Sequence, residues 1–199
     1  MHYLFIDIKP EMVEAWNEVF QGEENVKVLQ GDITDVSCDA IVSPANSFGF
    51  MDGGVDYAIS MRLGWSLQDK LQAQIKALPE GELLIGKSLV LETGDDLLPY
   101  LIASPTMRVP MSFNIATSIN AYLATKAALI AAKAHPNIEY VAIPGFCTGV
   151  GHMPHKTAAK QMHQAFKEIV KGEKMNFKTF GEAQKYHYNI NTAGMLYDY

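Results

Sequence analysis

Residues 39–59, DAIVSPANSFGFMDGGVDYAI, contain the pattern that decides the fold. The apolar run at 40–42 predicts a buried strand. A loop with one proline and three glycines follows it, and then the start of an amphipathic helix. A strand that leads through such a loop into a helix is suited to anions, because glycine lets the backbone approach a phosphate and the helix start offers unpaired N–H groups. A second loop of this kind, IPGFCTGVGHMP, occupies residues 143–154. We therefore predict two loops that hold one ligand between them.

Composition and charge narrow the class of protein. The chain has 199 residues, 48% of them hydrophobic and 19% charged, which is enough for one sizeable core. It has no apolar run of membrane-helix length and no basic segment before the first apolar run, so neither a membrane span nor a signal peptide is expected. Two cysteines, Cys38 and Cys147, indicate a reducing, cytoplasmic setting rather than a disulfide framework. The net charge of −6 disfavours charge-driven binding of nucleic acid.

The order of elements predicts an α/β fold of three layers, with helices on both faces of a mixed, largely parallel sheet. Strands are predicted at residues 2–7, 26–29, 39–42, 87–92, 100–104 and 140–143. In such sheets ligands bind beyond the carboxyl ends of the strands, and both glycine loops fall there.

The second half of the chain gives two further predictions, one for a long helix and one for the C-terminal tail. Ser112 or Asn114 is predicted to cap a long helix whose inner face is Ile115, Ile119, Leu123, Ala127 and Ile130. We expect residues 1–176 to form one domain. Residues 177–199 are an aromatic tail without a convincing period, which either packs on the domain or binds a protein partner.

Four elements in this order resemble the macrodomain family, which binds ADP-ribose: QGDIT at 30–34, DAIVSPAN at 39–46, GGVDYAI at 53–59 and IPGFCTGVGHMP at 143–154. The resemblance covers roughly residues 26–171. Ser43 and Pro44 stand where the family usually has Asn and Ala, and Asp52 stands in place of the first of three glycines.

The resemblance also implies a role for each site residue. Asp32 and the backbone N–H of Ile33 would bind adenine, and Asn46 would contact the distal ribose. Phe146 and Phe48 are the candidate walls around the ribose or adenine. The diphosphate would lie between two groups of residues, Gly53, Gly54 and Val55 on one side and Thr148, Gly149, Val150 and Gly151 on the other. Each residue also has a purely structural alternative. Asp32 would cap a turn, Asn46 would stabilise a turn, the glycines would only form tight turns, and the phenylalanine rings would pack in the core.

Asp56 raises the question of catalysis. In hydrolytic members of the family the matching aspartate is thought to orient a water, so Asn46 and Asp56 favour hydrolysis of ADP-ribosyl bonds on proteins or of O-acetyl-ADP-ribose. Its structural alternative is a favourable charge in the first turn of a helix. The altered SPAN element and Asp52 favour a binding module without turnover, or an enzyme with a changed substrate. A third alternative is a structural or assembly protein, phage-like, that uses the tail for partners.

The sequence predicts no metal and no cofactor. Cys147, His152 and His155 have the spacing C-x4-H-x2-H, which fits no zinc pattern and lacks a fourth ligand. A nucleophile–base pair of Cys147 and His152 would lack a third, orienting group.

Overall fold

A single six-stranded sheet runs through the middle of the molecule. The computed structural model describes residues 1–110 and 115–191. The strands are β1 (His2–Asp7), β2 (Val26–Gln30), β3 (Ala40–Ser43), β4 (Leu89–Glu92), β5 (Tyr100–Ala103) and β6 (Tyr140–Ile143). They pair in the order β2-β1-β6-β3-β5-β4, and every pair is parallel except β4 with β5. The mixed, largely parallel sheet predicted from the sequence is confirmed.

Helices cover both faces of this sheet. They are α1 (Pro10–Val19), α2 (Gly54–Leu63), α3 (Ser66–Ala77), α4 (Asn120–Ala134), α5 (His155–Ile169) and α6 (Phe180–Ile190), with a short 3-10 helix at Ile33–Asp35. Side chains of α1, α4 and α5 share one core cluster, and those of α2 and α3 share a second. The three-layer architecture is therefore confirmed. Within the described ranges no helix is both long and apolar enough to cross a membrane.

The strands contribute to both clusters because successive side chains point to opposite faces. Phe5 and Val42 belong to the cluster with α1, α4 and α5, whereas Ile6 and Ile41 belong to the cluster with α2 and α3. This is why the central strands read as continuous apolar runs rather than as an alternation of apolar and polar residues.

The position of β6 determines where the site lies. It is inserted between β1 and β3, so the three strands have their carboxyl ends side by side. At the opposite ends, a carboxylate oxygen of Asp39 accepts hydrogen bonds from the N–H groups of Glu139 and Tyr140, both at 2.8 Å. The segments that follow β1, β3 and β6 are thus neighbours.

The start predicted for α4 is wrong, and its predicted inner face is correct only in part. The helix begins at Asn120, and the predicted caps Ser112 and Asn114 lie outside the described residues. Ile115 lies before the helix, where its N–H donates to the Gly151 carbonyl at 3.0 Å, and Ile130 is 51% exposed. Ala127 lies on the buried face as predicted. That face is rich in further alanines, because α4 packs closely on its neighbours: Ala121, Ala124, Ala128 and Ala132.

The tail forms a helix that the sequence pattern did not reveal. Thr179 caps α6, since its hydroxyl accepts a hydrogen bond from the Glu182 N–H at 3.2 Å. Ile190 is buried with Tyr122 and Ala165, and the Tyr186 hydroxyl donates to Glu168. Only Ile190 is buried within this helix, so no apolar period marks it.

We expect the Ile190 contact to anchor α6. Replacing this buried side chain in Ile190→Ala should lower the free energy of unfolding by about 2–4 kcal/mol, because it removes packed methyl and methylene groups. Phe180→Ala is the matched control: its side chain is 78% exposed, so we expect a change within about 0.5 kcal/mol. Urea unfolding measures both, and equal effects would mean that Ile190 does not anchor the helix.

Candidate functional site

A cleft of about 450 Å³ opens at the carboxyl ends of β1, β6 and β3. The segments after β1, β2, β3, β5 and β6 line it. Its volume lies in the range of about 300–1,000 Å³ that is usual for small-molecule sites. Most of its wall is apolar, and the polar groups come from a few aspartates, threonines and backbone segments.

Eleven of the residues predicted for the site line this cleft. They are Asp32, Ile33, Asn46, Gly53, Gly54, Val55, Asp56, Thr148, Gly149, Val150 and Gly151. The fold therefore brings both glycine loops to one cavity, although 93 residues separate Val55 from Thr148 in the chain.

The two predicted aromatic walls lie elsewhere. Phe146 is completely buried in the core cluster with α1 and α5 and does not line the cleft, so the packing alternative describes this ring. Phe48 packs under the Arg108 guanidinium, 5.0 Å from the ring centre. The aromatic side chain that does line the cleft is Phe50, which is 52% exposed.

Asp56 is a buried carboxylate at the inner wall of the cleft. It lies in the first turn of α2 and is only 6% exposed. Its Oδ1 accepts a hydrogen bond of 2.5 Å from the hydroxyl of Ser43, the last residue of β3, which is fully buried. The altered SPAN element thus supplies the group that holds this carboxylate.

Burial is the main influence on the charge of Asp56. Desolvation raises its pKa to about 7, the Ser43 hydrogen bond opposes that rise, and the charge of Asp52 adds to it. A carboxyl group with a pKa near neutrality can both accept and release a proton at physiological pH. Such groups are concentrated at functional sites.

Asn46 gives the loop after β3 its shape. Its Oδ1 accepts hydrogen bonds from the N–H groups of Phe48 at 3.1 Å and Phe50 at 3.3 Å. Its Nδ2 donates to the Phe50 carbonyl at 2.7 Å. These hydrogen bonds are those of a residue that stabilises a turn, as the structural alternative for Asn46 predicts. The residue also borders the cleft.

The first glycine loop is fixed by hydrogen bonds at Met51 and has open space beside Gly53. The Met51 N–H donates to Gln68 at 2.8 Å, and the Met51 carbonyl accepts from Ser60 at 2.9 Å. Gly54 has φ +55°, which favours glycine. Gly53 has φ −139°, which any residue can adopt. A Cβ built there would meet no described atom within 4 Å. The space beside Gly53 is therefore open to a ligand.

The second glycine loop contains strained backbone. Cys147 and His152 have φ values of 65° and 52°, which residues other than glycine rarely adopt. A Cβ on Gly151 would lie 2.7 Å from the Cys147 carbonyl oxygen, whereas a Cβ on Gly149 would meet no described atom within 4 Å. Strain of this kind is concentrated at ligand sites.

Cys147 is poorly suited to act as a nucleophile. It is buried, and desolvation raises the pKa of its thiol to about 12, so it carries its proton at neutral pH. In the described part of the chain, no group of three or more His, Cys, Asp or Glu side chains is placed to hold a metal ion.

Asp32 has a capping role in addition to its place in the cleft. Its Oδ1 accepts hydrogen bonds from the Thr34 N–H at 2.9 Å and the Thr34 hydroxyl at 2.7 Å. These bonds begin the 3-10 helix at Ile33–Asp35 and use one of the two carboxylate oxygens. The cap alternative and a ligand contact through the other oxygen are therefore compatible.

Sequence reasoning missed the segment that follows β1. Asp7, Ile8 and Lys9 line the cleft, as do Phe50 and Met107 from other loops. For Asp7, Ile8 and Lys9 the sequence did contain a signal, because they follow a predicted parallel strand. The carboxyl end of such a strand lies at the same edge of the sheet as the glycine loops. That β1 is adjacent to β6 in the sheet was not evident from the sequence.

Comparisons with known proteins agree with this fold. The model of the Macro domain matches residues 42–162. An uncharacterized protein of Aquifex aeolicus is 34% identical over 145 residues, which cover 73% of this chain and 82% of that protein. A Salmonella gallinarum O-acetyl-ADP-ribose deacetylase is 31% identical over 137 residues, covering 68% and 73% of the two chains. The solved Oceanobacillus iheyensis macrodomain with ADP superposes with a TM-score of 0.61 at 22% identity, covering 82% of this chain and 86% of that one.

The raised pKa of Asp56 predicts how stability depends on pH. The native state retains a proton that the unfolded state has released, so this contribution is complete below about pH 4 and is lost as pH rises through about 7. The loss is on the order of 4 kcal/mol. Asp56→Asn cannot titrate and serves as the reference. Urea unfolding of both proteins at about pH 5 and about pH 8.5 should show that wild type loses stability relative to the variant. Parallel pH profiles would contradict this prediction.

Proposed function

Because this chain belongs to the macrodomain family, we propose that it binds ADP-ribose or a close derivative in the cleft between the two glycine loops. The observation that carries the proposal is the open space beside Gly53 and Gly149 on the two loops that border one cavity. At neither position does a neighbouring side chain or a positive φ require glycine. Glycine at these positions allows a ligand to approach the backbone closely, which would explain why glycine is present there.

A diphosphate suits these two loops. Gly53 precedes the first residue of α2, so the unpaired N–H groups of that helix start face the same region as the loop. The overall charge of −6 disfavours binding of phosphates through a broad basic surface. Backbone N–H groups at the loops supply local donors instead. The O-acetyl-ADP-ribose acted on by the Salmonella relative and the ADP bound by the Oceanobacillus macrodomain support this ligand class.

Gly149→Val tests the binding proposal. The added side chain would project into the cleft, so we expect the affinity for ADP-ribose to fall by about tenfold or more, which is about 1.4 kcal/mol. The melting temperature should be nearly unchanged, because no described atom lies within 4 Å of the new Cβ. Isothermal titration calorimetry and thermal unfolding measure the two quantities.

Gly181→Val is the control for this experiment. It adds the same side chain on exposed α6, away from the cleft, and should leave the affinity unchanged. If folded wild-type protein gives no binding heat with millimolar ADP-ribose, the proposed function is overturned.

A second, catalytic function is favoured by Asp56. We propose that, as carboxylate, Asp56 accepts a proton from the water that attacks an ADP-ribosyl bond on a protein or the ester of O-acetyl-ADP-ribose. The new bond joins the water oxygen to the attacked carbon, and the bond to the leaving oxygen breaks. The leaving oxygen keeps the electron pair of that bond and takes the proton that Asp56 accepted, so Asp56 is again a carboxylate. Its place in the cleft wall, its burial and its pKa of about 7 support this role. Asn46 would maintain the loop after β3, which borders the same cleft.

Two variants should shift the pH dependence of hydrolysis in opposite directions. Ser43→Ala removes a hydrogen bond that lowers the Asp56 pKa, so the rising limb of the rate profile should move to higher pH. Asp52→Asn removes a charge that raises the pKa, so the limb should move to lower pH. Release of ADP-ribose or acetate, measured across pH, tests both.

The outcomes separate the enzyme from a binding module. Opposite shifts, with Asp56→Ala inactive but still able to bind ADP-ribose, support the catalytic role. Equal activity in Asp56→Ala would remove this residue from the mechanism. Binding without turnover in wild type would leave the non-catalytic alternative.

A further inference from the structure

The cleft contains more negative than positive side chains. Asp7, Asp32, Asp52 and Asp56 line it, whereas Lys9 is the only cationic side chain among the lining residues of the described chain. A diphosphate would bring about two further negative charges into this setting. Transfer of an anion from water to a partly enclosed site is unfavourable unless donors or a counter-charge compensate for the lost hydration. Lys9 is therefore the side chain to consider for this role.

The fold holds Lys9 next to the second glycine loop. The Lys9 N–H donates to Asp7 Oδ1 at 2.9 Å, and the Gly145 N–H donates to Asp7 Oδ2 at 3.1 Å. Asp7 thus joins the segment after β1 to the segment after β6. A Cβ on Gly145 would lie 2.4 Å from Asp7 Oδ2, so a side chain there would displace the Asp7 carboxylate from this junction.

The ammonium group of Lys9 is positioned but not neutralised. Its Nζ donates to the Thr148 carbonyl at 3.4 Å, a long contact that uses one of its three hydrogens. No carboxylate of the described residues forms an ion pair with it. The side chain is half-buried and borders the cleft. Two N–H donors and a full positive charge are therefore available beside Thr148 and Gly149.

We propose that Lys9 is a ligand-binding residue that pairs with the diphosphate of a nucleoside diphosphate or nucleotide sugar. This inference rests on the proposed function and adds a charged contact to the backbone donors of the two loops. Charge-assisted hydrogen bonds to phosphate are stronger than those of neutral donors. Lys9 also offsets the nearby carboxylates, so it allows an acidic cleft to accept an anionic ligand. If Lys9 contacts the diphosphate, it strengthens the binding of ligands that carry phosphate and has no effect on the binding of the nucleoside alone. This contribution to the affinity decreases as the salt concentration rises.

Lys9→Met tests the proposal, because methionine keeps an unbranched apolar stem and removes the charge. We expect the affinity for ADP-ribose and for ADP to fall by about tenfold or more, while adenosine binding, followed by NMR titration, stays unchanged. Lys9→Arg should stay within a few-fold of wild type, since it keeps the charge. The affinity of wild type should fall more steeply than that of Lys9→Met as NaCl rises above about 0.1 M.

Controls separate this contact from a general effect on the fold. Lys70→Met changes an exposed lysine of α3 that does not line the cleft, and it should have no effect on binding. Lys9→Gln repeats the test with a polar, neutral side chain if the methionine variant unfolds. Far-UV circular dichroism verifies that each variant is folded.

The results distinguish failure of this inference from failure of the proposed function. If wild type binds ADP-ribose and the neutral Lys9 variants bind it as tightly, only the role of Lys9 is overturned. An equal loss for adenosine also overturns it, because the residue would then not act through phosphate. If wild type binds neither ADP-ribose nor ADP, the proposed function itself is overturned and the inference falls with it.

Discussion

The hydrogen bond between Ser43 and Asp56 is the interaction on which the site depends. It joins the last residue of β3 to the first turn of α2 inside the protein, so it fixes both ends of the loop that carries Asn46 and the first glycines. A buried carboxylate is unfavourable when charged, and one short hydroxyl contact compensates for only part of the lost hydration. The result is a group that titrates near neutrality at the wall of the cleft. The same contact therefore shapes the loop that borders the cleft and limits the rise of the Asp56 pKa that burial causes.

The second glycine loop depends on more distant parts of the chain. The Ile115 N–H donates to the Gly151 carbonyl. Farther along, the Asn191 amide donates to the carbonyls of Ala116 and Ser118 at 2.7 Å each. The end of α6 thus supports the segment that in turn supports this loop. The C-terminal region is therefore part of the scaffold of the cleft as far as residue 191.

The geometry of the cleft makes its four aspartates compatible with the anionic ligand that we propose. Of its four aspartates, Asp7 and Asp32 accept hydrogen bonds from backbone N–H groups, and Asp56 has Ser43 as its partner. Asp52 is exposed at the mouth. The donors that face a ligand are then backbone groups of the glycine loops and the ammonium of Lys9. Selectivity for a diphosphate can arise from this arrangement without a basic surface.

The sequence by itself determined the strands, the two glycine loops and the family, because apolar runs, turn residues and short motifs are local properties of the chain. It also identified Asp56, whose place in the first turn follows from the glycines before it. Tertiary structure alone decided that β6 lies between β1 and β3, which brings Lys9 to the second loop. It also decided that Phe146 faces the core, and that Ile190 docks a helix with no visible period. These outcomes depend on contacts between residues far apart in the chain, and the burial of Asp56, which raises its pKa, is of the same kind.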